Sequence, residues 1–167
     1  QLRQFVAELG ISDAVFMGVS FGASVLLRWL VMENSDIPAR GVIAVSGTGG
    51  PFRKPEGMQA LANYDPPTLE GMSELVGWLT EDFPGFEQHV KRRFDAAMQP
   101  GHWETMMAPR LKNPASDFSP PADNFLDTLS RVSVPVLYVE AVRDRMVEPD
   151  WSAELMSRTP GSTRVLL

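Results

Sequence analysis

The stretch "DAVFMGVSFGASVLLRWL", residues 13–30, constrains the chain more than any other. Asp13 to Met17 is a compact apolar run of strand length, whereas from Ser20 onward Ala23, Leu26, Leu27 and Leu30 recur on one helical face. Strand and helix therefore meet within a few residues, at Gly18-Val19-Ser20-Phe21-Gly22. So abrupt a joint needs a strained turn at the serine, and side chains at the flanking glycines are expected to collide with the neighbouring strand and helix.

The rest of the chain repeats the alternation. Leu2, Phe5, Val6 and Leu9 have helical spacing and Gly10 supplies a stop. The helix opened at Ser20 is expected to run to the Asn34-Ser35-Asp36 turn. Further buried strands are predicted at Gly41 to Ser46 (GVIAVS), at Val134 to Glu140 (VPVLYVE) and from Thr163 to Leu167, with a helix capped by Asp150 running to about Arg158 before the last. Strands alternating with helices predict an α/β fold with a parallel sheet.

Between the second and third strands the character changes. Residues 50–123 are dense in Met, Trp and Pro and read as helical. Leu69, Met72, Val76 and Leu79 form one stripe after Pro66-Pro67-Thr68; Phe86, Val90 and Ala97 form a second after Pro84-Gly85; a third helix includes Trp103, Met106 and Met107. "NPASDFSPPAD" reads as the return linker. The expected organisation is a sheet core in two parts, residues 1–49 and 124–167, with a helical lid at 50–123.

Composition narrows the function classes. The 167 residues are 44% hydrophobic and 22% charged, as in a soluble globular protein. A formal net charge of −6, with no long lysine and arginine cluster, gives no support to a nucleic-acid role. The absence of cysteine excludes a disulfide framework, a thiolate nucleophile and a Cys-type zinc site, and suits a cytoplasmic setting. No apolar run reaches the ~20 residues needed to cross a bilayer, so no membrane role is expected. A small-molecule substrate is the expected partner.

The serine at the joint carries the chemistry. G-x-S-x-G after a strand and before a helix is the pattern of a nucleophile elbow, with Ser20 Oγ raised above the sheet near the positive end of the helix and the Phe21 N–H available to an oxyanion. The rival explanation is a helix cap with incidental glycines. An activated serine needs a base, and the base an orienting acid, in the chain order Ser, Asp or Glu, His. Asp144 follows the third strand, where a parallel sheet presents side chains to a crevice at its carboxyl edge. Asp150 competes but is better explained as a cap, and a turn carboxylate paired with Arg143 or Arg145 is the structural alternative for Asp144. His89 and His102 both precede Asp144 and lie in the inserted region, so they read as surface or lid residues. Hence the chain is expected to be truncated at both ends, and this segment alone to be inactive.

Several segments together resemble the meta-cleavage-product hydrolases, carbon–carbon bond hydrolases of aromatic degradation within the α/β-hydrolase superfamily. Besides the elbow they are "SGTGGPF", "LANYDPPTLEGM", "VKRRFDAAMQPGHWETM" and "RDRMVEP". The resemblance implies a partial α/β-hydrolase fold with an inserted helical lid and a Ser-Asp-His hydrolase acting on 2-hydroxy-6-oxo-dienoate ring-fission products. It implies Ser20 as nucleophile or water-activating residue, Asp144 as triad acid, Arg93 as the lid arginine at the substrate's dienoate end, and no metal or organic cofactor. Arg93 shares the helical face of Phe86, Val90 and Ala97, which supports its singling out. The family commonly has Asn before and Met after the serine and a second glycine beyond, where this chain has Val19, Phe21 and Ala23. A carboxylesterase or lactonase of the same fold, and a non-catalytic binding protein on a hydrolase scaffold, remain as alternatives. A homo-oligomeric full-length parent is compatible with the sequence.

Overall fold

The computed structural model describes residues 2–32, 38–62, 68–108 and 123–167. Four parallel strands, β1 (Ala14–Val19), β2 (Ala39–Val45), β3 (Val136–Glu140) and β4 (Thr163–Leu166), lie in the order β1-β2-β3-β4. Val19 pairs with Val45, Val45 with Val139 and Val139 with Val165, so the carboxyl ends of the strands lie along one edge. The α/β, parallel-sheet expectation is met. The strands begin and end a few residues from the predicted limits, because apolar runs mark burial and not the last ladder hydrogen bond.

The chain divides into two compact units, Gln1–Arg53 with Asp123–Leu167, and Lys54–Ala122. The first holds the sheet and the helices α1 (Leu2–Glu8), α2 (Phe21–Val31), α7 (Phe125–Thr128) and α8 (Trp151–Arg158), with a 3-10 turn at Leu129–Arg131. Its divisions differ from the predicted 49/50 and 123/124. Residues 50–53 stay with the sheet because Arg53 bridges Val147 and the Glu148 N–H donates to Phe52 O (2.8 Å). Asp123 stays with it because it pairs with Arg28.

Helix α2 packs on β1 and β2, and α8 on β3 and β4. Their buried residues, Leu26, Leu27 and Leu30 of α2 with Trp151 and Leu155 of α8, join Val42, Val136 and Tyr138 of the sheet, Phe125 and Leu129 in one core. Tyr138 meets Trp151 edge-on, and its hydroxyl shares a hydrogen bond with Thr159 Oγ1 (2.9 Å). Burial pushes the Tyr138 phenol up to about 12, against a smaller lowering by that bond. In α1 only Val6 is buried; Leu2, Phe5 and Leu9, which share its helical spacing, are exposed.

The second unit contains α3 (Pro55–Ala62), α4 (Leu69–Leu79), α5 (Phe86–Ala97) and α6 (His102–Met107). Thr68 caps α4 by accepting from the Gly71 N–H (3.0 Å). Met72 and Val76 of α4 and Val90 and Ala97 of α5 form its core, with Leu75, Phe86, Phe94 and Trp103 packed around them. Leu69 and Leu79, at the ends of the predicted stripe, are exposed. The predicted Asn34-Ser35-Asp36 turn, Pro66-Pro67 and nearly all of the linker at 113–123 lie outside the described residues. No helix among the described residues is long and apolar enough to cross a membrane.

Candidate active site

Ser20 stands between the last residue of β1 and the first of α2 with φ 51° and ψ −114°, a conformation that L residues rarely occupy. The strain is held from both sides: the Ser20 N–H donates to Val45 O (2.8 Å), and Ser20 O accepts from the Ser24 N–H (3.0 Å). The Ser20 side chain makes no capping hydrogen bond to α2, which removes the helix-cap explanation. Ser20 is exposed at the carboxyl edge. Phe21, whose side chain is also exposed, occupies the first helical position, where a backbone N–H has no acceptor within the helix.

The glycines behave differently from one another. A Cβ on Gly18 would stand 2.5 Å from Ala23 N, so that glycine is sterically required. A Cβ on Gly22 would meet nothing within 4 Å. The expected collision is absent there because the position faces outward from the first turn of α2. The second required glycine is Gly47, just after β2, where a Cβ would lie 2.3 Å from Ala23 Cβ and 2.6 Å from Ser20 O. Gly47 thus makes room for the Ala23 methyl group. Sequence reasoning missed Gly47 because its neighbour is brought close only by the pairing of β1 with β2.

Asp144 lies in the turn after β3, at the same edge of the sheet as Ser20, and is partly buried. Its N–H donates to Ala141 O (3.1 Å), and its Oδ1 accepts from the Met146 N–H (2.7 Å). That bond fixes the carboxylate's orientation. Asp150 precedes α8, as predicted, but with φ 58° its side chain makes no capping hydrogen bond; the carboxylate instead lies 3.5 Å from Arg164. The cap is supplied by Glu140, the last residue of β3, which sequence reasoning passed over. Only 4% exposed, Glu140 accepts from the N–H groups of Asp150 (2.7 Å) and Ser152 (3.2 Å) and from the Ser152 hydroxyl. The signal was available: strict alternation along β3 places Glu140 on the buried side with Val136 and Tyr138.

The remaining candidates belong to the second unit. Arg93 is exposed on α5; its expected place in the buried stripe is taken by Phe94, which packs against the core there. His89 is partly buried with its ring edge-on to Phe83 (5.7 Å between centroids), and His102 is exposed at the start of α6. Among the described residues no cluster of His, Asp and Glu could hold a metal ion.

A strained serine at a strand–helix joint, with a carboxylate in the turn after a later parallel strand, places the chain among known folds. The Alpha/beta hydrolase family model matches residues 1–167. The chain belongs to the α/β-hydrolase family. No curated protein matches the chain. Among solved structures it is similar to a variant of the meta-cleavage product hydrolase CumD of Pseudomonas fluorescens IP01 (TM-score 0.79, 18% identity, covering 99% of this chain and 60% of that one). The 2-hydroxy-6-oxo-6-phenylhexa-2,4-dienoate hydrolase of Rhodococcus sp. strain RHA1 is similar at TM-score 0.71 and 28% identity, over 97% of this chain and 58% of that one. So is the carboxylesterase CesB of Bacillus subtilis, at TM-score 0.71 and 17% identity, over 99% of this chain and 55% of that one. The chain therefore spans less than two thirds of the length of each.

Proposed function

We propose that this chain is the elbow, lid and acid part of a Ser-Asp-His hydrolase whose longer protein adds water across a C–C bond of 2-hydroxy-6-oxo-dienoate ring-fission products. The observation that carries the reading is the backbone of Ser20, strained at φ 51° and ψ −114° with its side chain not engaged in capping. Such a turn costs on the order of 1–3 kcal/mol and persists where a function needs the side chain held in that place. The choice of a C–C bond over an ester rests on the motif resemblance along the chain and on the dienoate hydrolase of Rhodococcus at 28% identity.

In this reading Ser20 Oγ attacks, or activates water for attack on, the 6-oxo carbon, and the Phe21 N–H donates to the oxygen that becomes negative, aided by the positive end of α2. Asp144 orients the histidine that takes the serine's proton and stabilises its charged form. Since His89 and His102 precede Asp144, against the chain order Ser, Asp, His, that histidine is assigned to the longer protein outside these 167 residues. Arg93 faces the dienoate end of the substrate. The dienol is first ketonised; after addition to the 6-oxo carbon the C5–C6 bond breaks, its electrons pass to the 2-oxo group as a dienolate that takes up a proton, and water supplies the hydroxyl of the acid, so the products are a carboxylic acid and a hydroxypentadienoate.

The similarity to CesB favours one second reading, a carboxylesterase on the same elbow. Parallel steady-state assays of the longer protein with a ring-fission dienoate and with p-nitrophenyl esters separate the two. Faster loss of dienoate absorbance supports the C–C reading; ester turnover without any loss of dienoate replaces it with the esterase reading. If neither substrate turns over, or if Ser20→Ala keeps the rate, the serine-hydrolase reading itself falls, and a binding role on this scaffold takes its place.

A further inference from the structure

We infer that Glu140 is a positioning residue for Asp144, setting the acid's place by clasping together the two ends of the loop that carries it. The inference rests on the proposed role of Asp144. Residues 141–150 join β3 to α8, and Glu140 is the last residue before them. Its carboxylate reaches across the loop to the N–H groups of Asp150 and Ser152 and to the Ser152 hydroxyl, so one side chain ties the outgoing strand to the incoming helix.

Backbone contacts hold both ends of the loop as well. Leu167 N–H donates to Glu140 O and Val142 N–H to Leu167 O (both 2.9 Å), which fixes the first end beside β4. The Glu148 N–H to Phe52 O bond and the Arg53–Val147 bridge fix the second. Asp144 lies between these anchors, oriented by Met146 N–H. Glu140 adds a side-chain link between the end of β3 and the start of α8.

A buried carboxylate is a costly way to stabilise a fold, since its desolvation offsets most of what its hydrogen bonds return. An apolar side chain at the end of β3 would pack in the same core. A carboxylate does what no apolar residue can: it accepts several N–H and O–H donors at once, in fixed directions, at the positive end of α8. Such a clasp defines geometry, and an acid must hold its histidine within a few tenths of an ångström of the productive pose.

The test is a double-mutant cycle in the longer protein, with kcat and KM measured on whichever substrate it turns over. Glu140→Gln keeps the shape but sets an amide NH2 against backbone donors. It is expected to lower kcat about tenfold with KM within about twofold, and to shift the acid limb of the kcat/KM pH profile as the histidine loses the support of its acid. In an Asp144→Asn background, whose residual turnover remains measurable, the same change is expected to cost nothing further, because there is no acid left to misplace. Equal losses in both backgrounds, or normal kcat in Glu140→Gln, overturn the inference. Near-normal activity of Asp144→Asn alone overturns instead the assignment of Asp144 as the acid. If Glu140→Gln yields no folded protein, Ser152→Ala, which removes one donor of the clasp, carries the same cycle with an expected threefold loss of kcat and the same overturning outcomes.

Discussion

Arg28 of α2 and Asp123, the first described residue after the second unit, form a two-pronged ion pair, Nη1 to Oδ1 at 2.9 Å and Nη2 to Oδ2 at 2.5 Å. The same guanidinium donates from Nε to Gly49 O (2.6 Å) and lies over the Phe125 ring, 4.7 Å from its centroid. Gly49 in turn has φ +75°, and a Cβ there would strike the Phe125 ring at 2.3 Å. One side chain thus holds the stretch after β2 and the start of the return to the sheet.

The pair predicts an acid-dependent stability difference. The Arg28 hydrogen bond, foremost, holds the Asp123 carboxyl below its usual 3.8. A carboxylate depressed on folding contributes stability above its unfolded value and loses it as pH falls through the folded one. Asp123→Asn should therefore lower the melting temperature at pH 6, and the gap to the parent should close as pH falls below about 4. Since both side chains are roughly half exposed, the effect at pH 6 is at most about 1 kcal/mol. Thermal melts of both proteins between pH 6 and pH 3 check it. A gap that widens toward acid contradicts the sign.

The two kinds of glycine at the elbow predict opposite results. Gly47→Ala must push Ala23 and the Ser20 carbonyl apart, at a cost of about 1–3 kcal/mol and with loss of activity through displacement of the serine. Gly22→Ala adds a methyl group to open space early in α2 and removes a flexible residue from a helix, so it should be neutral or stabilising by up to about 1 kcal/mol. Urea unfolding of the two variants, with m compared, reads both. Equal destabilisation would show that the space beside Gly22 is needed.

The difference between those glycines marks what the sequence could tell. G-x-S-x-G, the apolar runs and the 3.6-residue stripes are local patterns, and they located the elbow, the four strands, the helices α4 to α6 and the turn of Asp144. Gly47 and the Arg28 clamp depend on partners far along the chain, joined only when the strands pair and the chain returns to the sheet, whereas the burial of Glu140 was readable from the alternation of β3 and only its capping of α8 was not. The exposure of Arg93 has the same origin. Positions 93 and 94 both border the stripe of Val90 and Ala97, and packing in the second unit selected the phenylalanine.

Arg93 has a prediction of its own. If its guanidinium meets the carboxylate or developing enolate of a dienoate, Arg93→Ala in the longer protein should slow dienoate turnover on the order of a hundredfold, the usual loss for one charged stabilising donor. Stability should hardly change, since the residue is exposed and outside the core of its unit. Steady-state kinetics beside a thermal melt separate the effects. Near-normal kinetics would remove Arg93 from the site.

The sheet itself predicts how the 167-residue chain behaves alone. Met17, Ile43 and Leu137 form one cross-strand row, and Val19, Val45, Val139 and Val165 the next, on the face opposite Val42, Ala44 and Tyr138. Val15 (51%), Met17 (65%), Val19 (58%) and Val165 (42%) are exposed there, although parallel sheets are ordinarily covered on both faces. An apolar face of that extent, beside the open ladder edge of β1, favours association. Light scattering on the purified chain should give a mass above that of the monomer, rising with concentration. Met17→Lys, which sets a charge at the β1 end of the first row, between exposed Val15 and Val19, should lower it. A single monomeric mass at every concentration would show that these rows are too small or too scattered to act as one surface.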